Sequence, residues 1–188
     1  MDRTACFIDG GYFQNVLRYF AEPRIDFSKL SARMKGSKQL LRTYYYNCKL
    51  LTSENPTDEE IKRRDKQMGF FNRLQMIPQF ECKFGTLERR LNGDGETIKP
   101  VQKQVDVMMA LDIATLSLKH LITEAKIISG DADLIPAIQI AKNEGVAVEL
   151  FYSVGTVSRE LLQIVDSATE INYDWLEEII MKEENNFY

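Results

Sequence analysis

The sequence predicts an α/β fold in three layers, with a central, mostly parallel sheet of about five strands between helices. Three observations predict it. Short apolar runs alternate with longer segments of helical periodicity, the pattern of βα units that feed a parallel sheet. Turn and cap residues fall between those segments. The chain has 188 residues, 44% of them apolar and 28% charged, which suits one ordinary globular core and argues against a disordered or fibrous chain.

The elements follow in order. Thr4 to Ile8 reads as a buried strand, ended by Asp9-Gly10-Gly11, and Tyr12 to Phe20 as a helix. Leu40 to Tyr46 is an aromatic-rich strand. Asn55-Pro56-Thr57-Asp58 opens a charged helix that runs to about Leu74. Gln79 to Gly85 is the next strand, after Pro78. Leu87 to Leu91 and Thr97 to Lys99 flank Asn92-Gly93-Asp94-Gly95, a hairpin turn signal. Gln104 to Leu118 is a helix, Ala125 to Ser129 a strand, and Leu134 to Asn143 a helix that Gly145 stops. Val146 to Phe151 is a strand, Val157 to Val165 a helix and Ala168 to Ile171 a short edge strand. Residues 1–173 form one domain; residues 174–188 are a C-terminal amphipathic helix, Trp175 to Met181, and an acidic tail. In Tyr44-Tyr45-Tyr46 the strand period predicts alternation between core and surface.

Net charge is −4, which alone argues against generic nucleic-acid binding. Its distribution differs: Lys29 to Arg90 carries a balance of +7 and the remainder −11. The three cysteines are widely spaced, with no disulfide framework or metal knuckle, so reduced thiols in a cytoplasmic protein are expected. The single histidine, His120, excludes a multi-His zinc site and disfavours a Ser-His-Asp enzyme. No apolar run approaches the ~18 residues of a membrane span, and Asp9 comes too early for a signal peptide, so no membrane partner is expected.

Ligands of open parallel sheets bind beyond the carboxyl ends of the strands, which makes the residues just after strands informative. Asp9 follows the first strand, Asp131 and Asp133 follow the strand ending at Ser129, and Asp106 opens the helix after the hairpin. If those strand ends share one crevice, four carboxylates converge there. They cannot all stay ionised without a compensating cation. An oxygen-only donor set suits Mg²⁺ or Mn²⁺, which can activate a water and stabilise charge on a phosphate. That is the chemistry of phosphodiester hydrolysis. Each residue also has a structural reading: Asp9 and Asp133 as helix caps, Asp131 as a turn former, Asp106 as a charge favoured by a helix dipole. Asp112 lies about 9 Å further along the helix than Asp106 and ~120° around it, so the two cannot easily grip one ion. It either supports the site or holds a buried basic partner.

At these residues the chain resembles a known family. Phe7-Ile8-Asp9-Gly10-Gly11-Tyr12, Lys103-Gln104-Val105-Asp106-Val107 continuing to Leu111-Asp112, and Ser129-Gly130-Asp131-Ala132-Asp133-Leu134-Ile135-Pro136 look like the three motifs of NYN domains, in the LabA-like branch of the PIN-like nuclease superfamily. Gly145-Val146-Ala147-Val148-Glu149 fits the family's Gly-Val-x-Val strand. The resemblance implies a PIN-like, Rossmann-like fold and a metal-dependent endoribonuclease. Its acidic metal-binding and catalytic positions fall on Asp9, Asp106, Asp131 and Asp133. Many family sequences carry Asn soon after the first Asp; here Gly11 and Tyr12 follow, and Asn15, one turn into the helix, is the nearest candidate for that contact. Asn15, Ser129 and Asp112 are the candidates for support around the ion.

Arg89, Arg90, Lys99 and Lys103 cluster on and after the hairpin, just before Asp106, where they suit the phosphates of a single-stranded nucleic acid; the substrate that the resemblance implies is RNA, single-stranded or structured. Lys62-Arg63-Arg64 and Lys66 are interleaved with Glu59, Glu60 and Asp65, the pattern of a solvated face. A homodimer is among the states left open. The alternative function is an RNA-binding or regulatory module with weak catalysis. A nucleotide-sugar transferase at Asp131-Ala132-Asp133 lacks room for an acceptor domain. An Asp-x-Asp phosphatase is disfavoured by Gly-Gly after Asp9, and a dinucleotide enzyme by the lack of GxGxxG after the first strand.

Overall fold

The computed structural model describes residues 2–50, 53, 55–91 and 98–181, with side chains described outside 87–91 and 98–103. In chain order the elements are β1 (Arg3–Asp9), α1 (Gly10–Arg18), α2 (Phe27–Lys35), β2 (Gln39–Cys48), α3 (Asp58–Gln75), β3 (Phe80–Leu91), β4 (Ile98–Lys103), α4 (Val105–Leu118), β5 (Glu124–Ile128), α5 (Ile135–Asn143), β6 (Ala147–Tyr152), α6 (Arg159–Ile164), β7 (Ser167–Glu170) and α7 (Tyr173–Glu177). One turn of 3₁₀ helix, Ala132–Leu134, precedes α5.

The strands form one sheet in the order β4-β3-β2-β1-β5-β6-β7. Six are parallel; β4 alone runs antiparallel, on β3. The expected three-layer α/β fold is present, with β7 extending the parallel set to six. The turn predicted at Asn92-Gly93-Asp94-Gly95 and the acidic tail 182–188 lie outside the described residues.

Apolar side chains on both faces of the strands carry the layers. On one face Phe13, Leu30, Phe71 and Leu176, from α1, α2, α3 and α7, pack on Cys6, Ile8, Tyr45 and Ile128. On the other, Met109, Ile138 and Leu161, from α4, α5 and α6, pack on Phe7, Tyr44, Tyr46 and Ile127. Burial on both sides explains a correction: Tyr44, Tyr45 and Tyr46 do not alternate between core and surface but are all buried, because β2 is an interior strand covered by helices on each face. Trp175 and Leu176 of the C-terminal helix belong to the same core as α1 and α2.

Helix α2 lay in a stretch for which the sequence reading assigned no element. Its start is fixed by Asp26, whose side chain accepts the Ser28 and Lys29 N–H groups, and Phe27, Leu30, Ser31 and Met34 make its buried stripe. Helix α3 starts after Thr57, within the segment that the sequence marks as its opening, and a capping box fixes it, with Thr57 and Glu60 each bonding the other's backbone. Among the described residues no helix is long and apolar enough to cross a membrane.

Candidate acidic site at the switch point of the sheet

Strand order reverses between β1 and β5: β2 and β3 lie to one side of β1, β5 to β7 to the other. The chain turns beyond these two strand ends therefore face a crevice, the usual ligand position in such sheets. Ile8 pairs with Ile128 in the register, so Asp9 and the Ser129-Gly130-Asp131 turn leave the sheet side by side.

Asp9 is the N-cap of α1; its Oδ1 accepts the Tyr12 N–H at 2.9 Å. Asp131 caps the 3₁₀ turn in the same way, its Oδ1 accepting the Asp133 N–H at 2.9 Å, while its own N–H donates to Ser129 Oγ at 3.2 Å. In each case at least one further carboxylate lone pair stays open. Asp106 sits in the first turn of α4, which starts directly after Gln104, a residue in the left-handed region with φ of 73°.

Asp9, Asp106 and Asp131 line one cleft of about 740 Å³, together with Gly11, Asn15 and Arg18 of α1 and with Ser158. Asp133 does not line it. It is exposed, and it borders a neighbouring groove of about 340 Å³ between α4 and α5 that shares Asp106.

The electrostatics are those of crowded anions. Burial pushes the Asp9 carboxyl up to about 6, reinforced by the charges of Asp106 and Asp131 and opposed by the Tyr12 and Gly11 N–H groups. Asp106 is also raised, first by burial and then by Asp131 and Asp133. Among the described residues no group of three or more His, Cys, Asp or Glu side chains is gathered so that it could hold an ion. What the site offers is chemistry of the right kind: oxygen donors from separate elements, and raised carboxyl pKa values that a cation would relieve.

Of the supporting candidates, Asn15 lines the cleft and its Oδ1 accepts from Arg18 Nη1 at 3.0 Å. Ser129 is fully buried and acts through the Asp131 N–H. Of the two roles open to Asp112, the structure provides the basic partner: Lys83 Nζ of β3 lies 2.8 and 2.7 Å from its two oxygens, and Tyr46 of β2 donates to it at 2.7 Å. Burial and this carboxylate hold the Tyr46 hydroxyl well above its ordinary value, so it remains a donor. Asp112 lines neither cleft. Backbone register pairs Arg90 with Lys99 and Thr86 with Lys103 across the β3–β4 ladder, but the side chains of Arg89, Arg90, Lys99 and Lys103 lie outside the described residues.

Sequence reading missed the loop after β6. Tyr12 bridges α1 to it, its hydroxyl 2.8 Å from Thr156 Oγ1 and accepting the Ser153 N–H at 3.0 Å. Ser158 closes the loop on the site, its N–H donating to the Gly130 carbonyl at 3.2 Å. Gly130 permits this approach: a Cβ there would meet the Thr156 carbonyl oxygen at 2.1 Å and the Tyr12 ring at 2.5 Å. The strand-end rule, applied to β6 as to β1 and β5, would have found this loop.

Comparison with known proteins agrees with this architecture. A protein of unknown function from Vibrio parahaemolyticus has a crystal structure that superposes with a TM-score of 0.66 over 96% of each chain at 17% identity, a likeness of fold alone. An uncharacterized protein of Sinorhizobium fredii is 35% identical over 83 residues, covering 43% of this chain and 36% of that one, so the match spans about a third of the relative's length. The NYN domain profile matches residues 3–172. With that match across nearly the whole chain, on a sheet whose switch point carries Asp9 and Asp131, the protein belongs to the NYN domain family, within the PIN-like nuclease superfamily.

Proposed function

We propose that this NYN protein, by motif closest to the LabA-like branch, is a metal-dependent endoribonuclease of the cytoplasm that hydrolyses phosphodiester bonds in RNA. The observation that carries the reading is the frustrated cleft, in which Asp9 and Asp106 are both raised by burial and by neighbouring carboxylates. Such an arrangement is costly unless a cation enters it. Asp9, Asp106 and Asp131 would hold Mg²⁺ or Mn²⁺, with Asp133 joining from the adjoining groove. The ion supplies charge neutralisation of a phosphate and an acidified water.

The chain's own groups do the rest. The caps at Asp9 and Asp131 fix two carboxylates by backbone bonds, so their orientation is set before substrate arrives. Arg18 and Asn15 present a cation and an amide at the same cleft, suited to a phosphate and a ribose. Arg89, Arg90, Lys99 and Lys103, which the sequence places on the β3–β4 ladder, are the candidates for further phosphate contacts.

The second reading, an RNA-binding module with weak catalysis, is favoured by one observation: Asp9 and Asp131 already spend one oxygen each on backbone N–H groups. Labelled single-stranded RNA and DNA incubated with Mg²⁺, Mn²⁺ or chelator decide between them. Metal-dependent cleavage of RNA is expected, with Asp131→Asn slower by ~10²-fold or more, as for other preorganised electrostatic groups. RNA binding without cleavage, or an Asp131→Asn variant as fast as wild type, would overturn the enzyme reading.

A further inference from the structure

A second cavity, of about 500 Å³, lies between α1, α3 and the start of α2, on the other side of α1 from the acidic cleft. That is the size of a small-ligand site. Behind its surface lies an aromatic layer: buried Phe27 stands edge-on to buried Tyr45 and to Phe70, at 5.7 and 5.4 Å between ring centres, with buried Phe13 beside them. Phe70 is only half-buried, so part of its ring is open to an occupant.

Two guanidinium groups border this apolar space, Arg24 and Arg73, both on exposed residues. Among the described residues neither makes a side-chain hydrogen bond or ion pair. Asp26, also on the rim, uses only Oδ1 to cap α2 and keeps Oδ2 free to accept. Unpaired arginines beside an aromatic slot complement a ligand with a flat body and an anionic group.

Helix α1 is the shared wall. Gly11, Asn15 and Arg18 face the acidic cleft, Phe13 and Leu17 face the cavity, and Gln14 lines both. A chain lying across α1 at Gln14 therefore reaches from one to the other.

We propose that this cavity is a nucleotide subsite, which takes one base of a single-stranded nucleic acid against the open part of the Phe70 ring and that nucleotide's phosphate on Arg24 and Arg73. The connection to the acidic cleft rests on the nuclease reading; the cavity's own ligand chemistry does not. Base stacking and arginine contacts of this kind bind single strands with marked salt dependence.

The test uses the full chain in chelator, so that the acidic cleft is left without metal. The probes are the four nucleoside 5′-monophosphates, their nucleosides and decanoate, followed by thermal shift and by titration calorimetry. At least one monophosphate is expected to bind, about tenfold or more tighter than its nucleoside. Arg24→Ala with Arg73→Ala, at exposed positions that leave the core intact, should erase that preference, and Phe70→Ala should weaken both ligands. Decanoate bound in place of nucleotides would assign the cavity to an anionic amphiphile and overturn the proposal, as would monophosphate affinity indifferent to the double arginine variant. A protein that binds monophosphates but cleaves no RNA keeps the subsite and loses the nuclease reading. One that cleaves RNA but binds no monophosphate does the reverse.

Discussion

Replacing Asp9 by Asn should stabilise the metal-free protein, and only above a particular pH. The carboxyl is moved from 3.8 to about 6 by folding, because burial and two neighbouring acids disfavour its charged form. A raised acid in the folded state gives stability that is greatest below the unfolded value and is lost as pH rises through the folded one. At about 1.4 kcal/mol per decade, the penalty above pH 6 is about 3 kcal/mol. Asn caps as well as Asp and can still accept the Tyr12 N–H, while losing the anion at the helix N-terminus gives back ~0.5 kcal/mol. The net gain at pH 8 is about 2.5 kcal/mol, and about 5–10 °C in melting temperature for a domain of this size. At pH 4 the gain should vanish. Urea or thermal unfolding of both proteins in chelator at pH 4, 6 and 8 measures it. Adding Mg²⁺ or Mn²⁺ should then stabilise wild type and close the gap. A variant no more stable than wild type at pH 8, or more stable by the same amount at pH 4, would show that the carboxylate is not under strain and that the electrostatic argument for a cation site is wrong.

Three further outcomes follow from the contacts. Lys83→Met leaves Asp112 half-buried without its cation and should cost about 1–3 kcal/mol in urea unfolding; adding Asp112→Leu should recover much of that, as a pair replaced together removes the orphaned charge. Gly130→Ala must displace the Thr156 backbone or the Tyr12 ring, so a loss of about 1–3 kcal/mol is expected, with amide NMR shifts concentrated at Ser153 to Ser158. Tyr12→Phe leaves the Ser153 N–H without its acceptor and should cost ~1–3 kcal/mol with smaller spectral changes, readable by the same two measurements.

Elements whose signals are local were legible in the sequence. Asp9, Thr57 and the glycine after α5 mark helix ends by bonds within three or four residues, and the alternation of short apolar runs with helices gives the parallel sheet. Helix α2 had such signals too, in Asp26 and its apolar stripe, but a helix of nine residues makes a short pattern that is easily passed over. Caps also shift boundaries: Ser158 starts α6 two residues later than periodicity alone suggests, and Asn172 starts α7 two residues earlier. Strand order was the missing knowledge elsewhere. Nothing local shows that Lys83 will lie against a helix 29 residues further on, or that β2 will be interior with three buried tyrosines. The acidic residues were found because each follows a strand. The split between Asp133 and the other three was not, since the 3₁₀ turn that carries Asp133 outward is set by Asp131 bonding its backbone.

The central position of β1 has a consequence for synthesis. Its partners are β2, some forty residues on, and β5, whose Ile128 pairs with Ile8. At about 5–20 residues per second, the first strand waits on the order of 6–24 s on the ribosome before its second edge is covered. Of the three cleft acids Asp131 is made last, so a chain that has not reached it carries at most Asp9 and Asp106 and an incomplete site for a divalent ion. Chains interrupted before β5 would display an uncovered apolar strand edge, the feature that quality-control factors and aggregation both act on. Emergence of β5 and the turn after it thus covers the second edge of β1 and completes the anionic cleft together, before β6 and β7 are made.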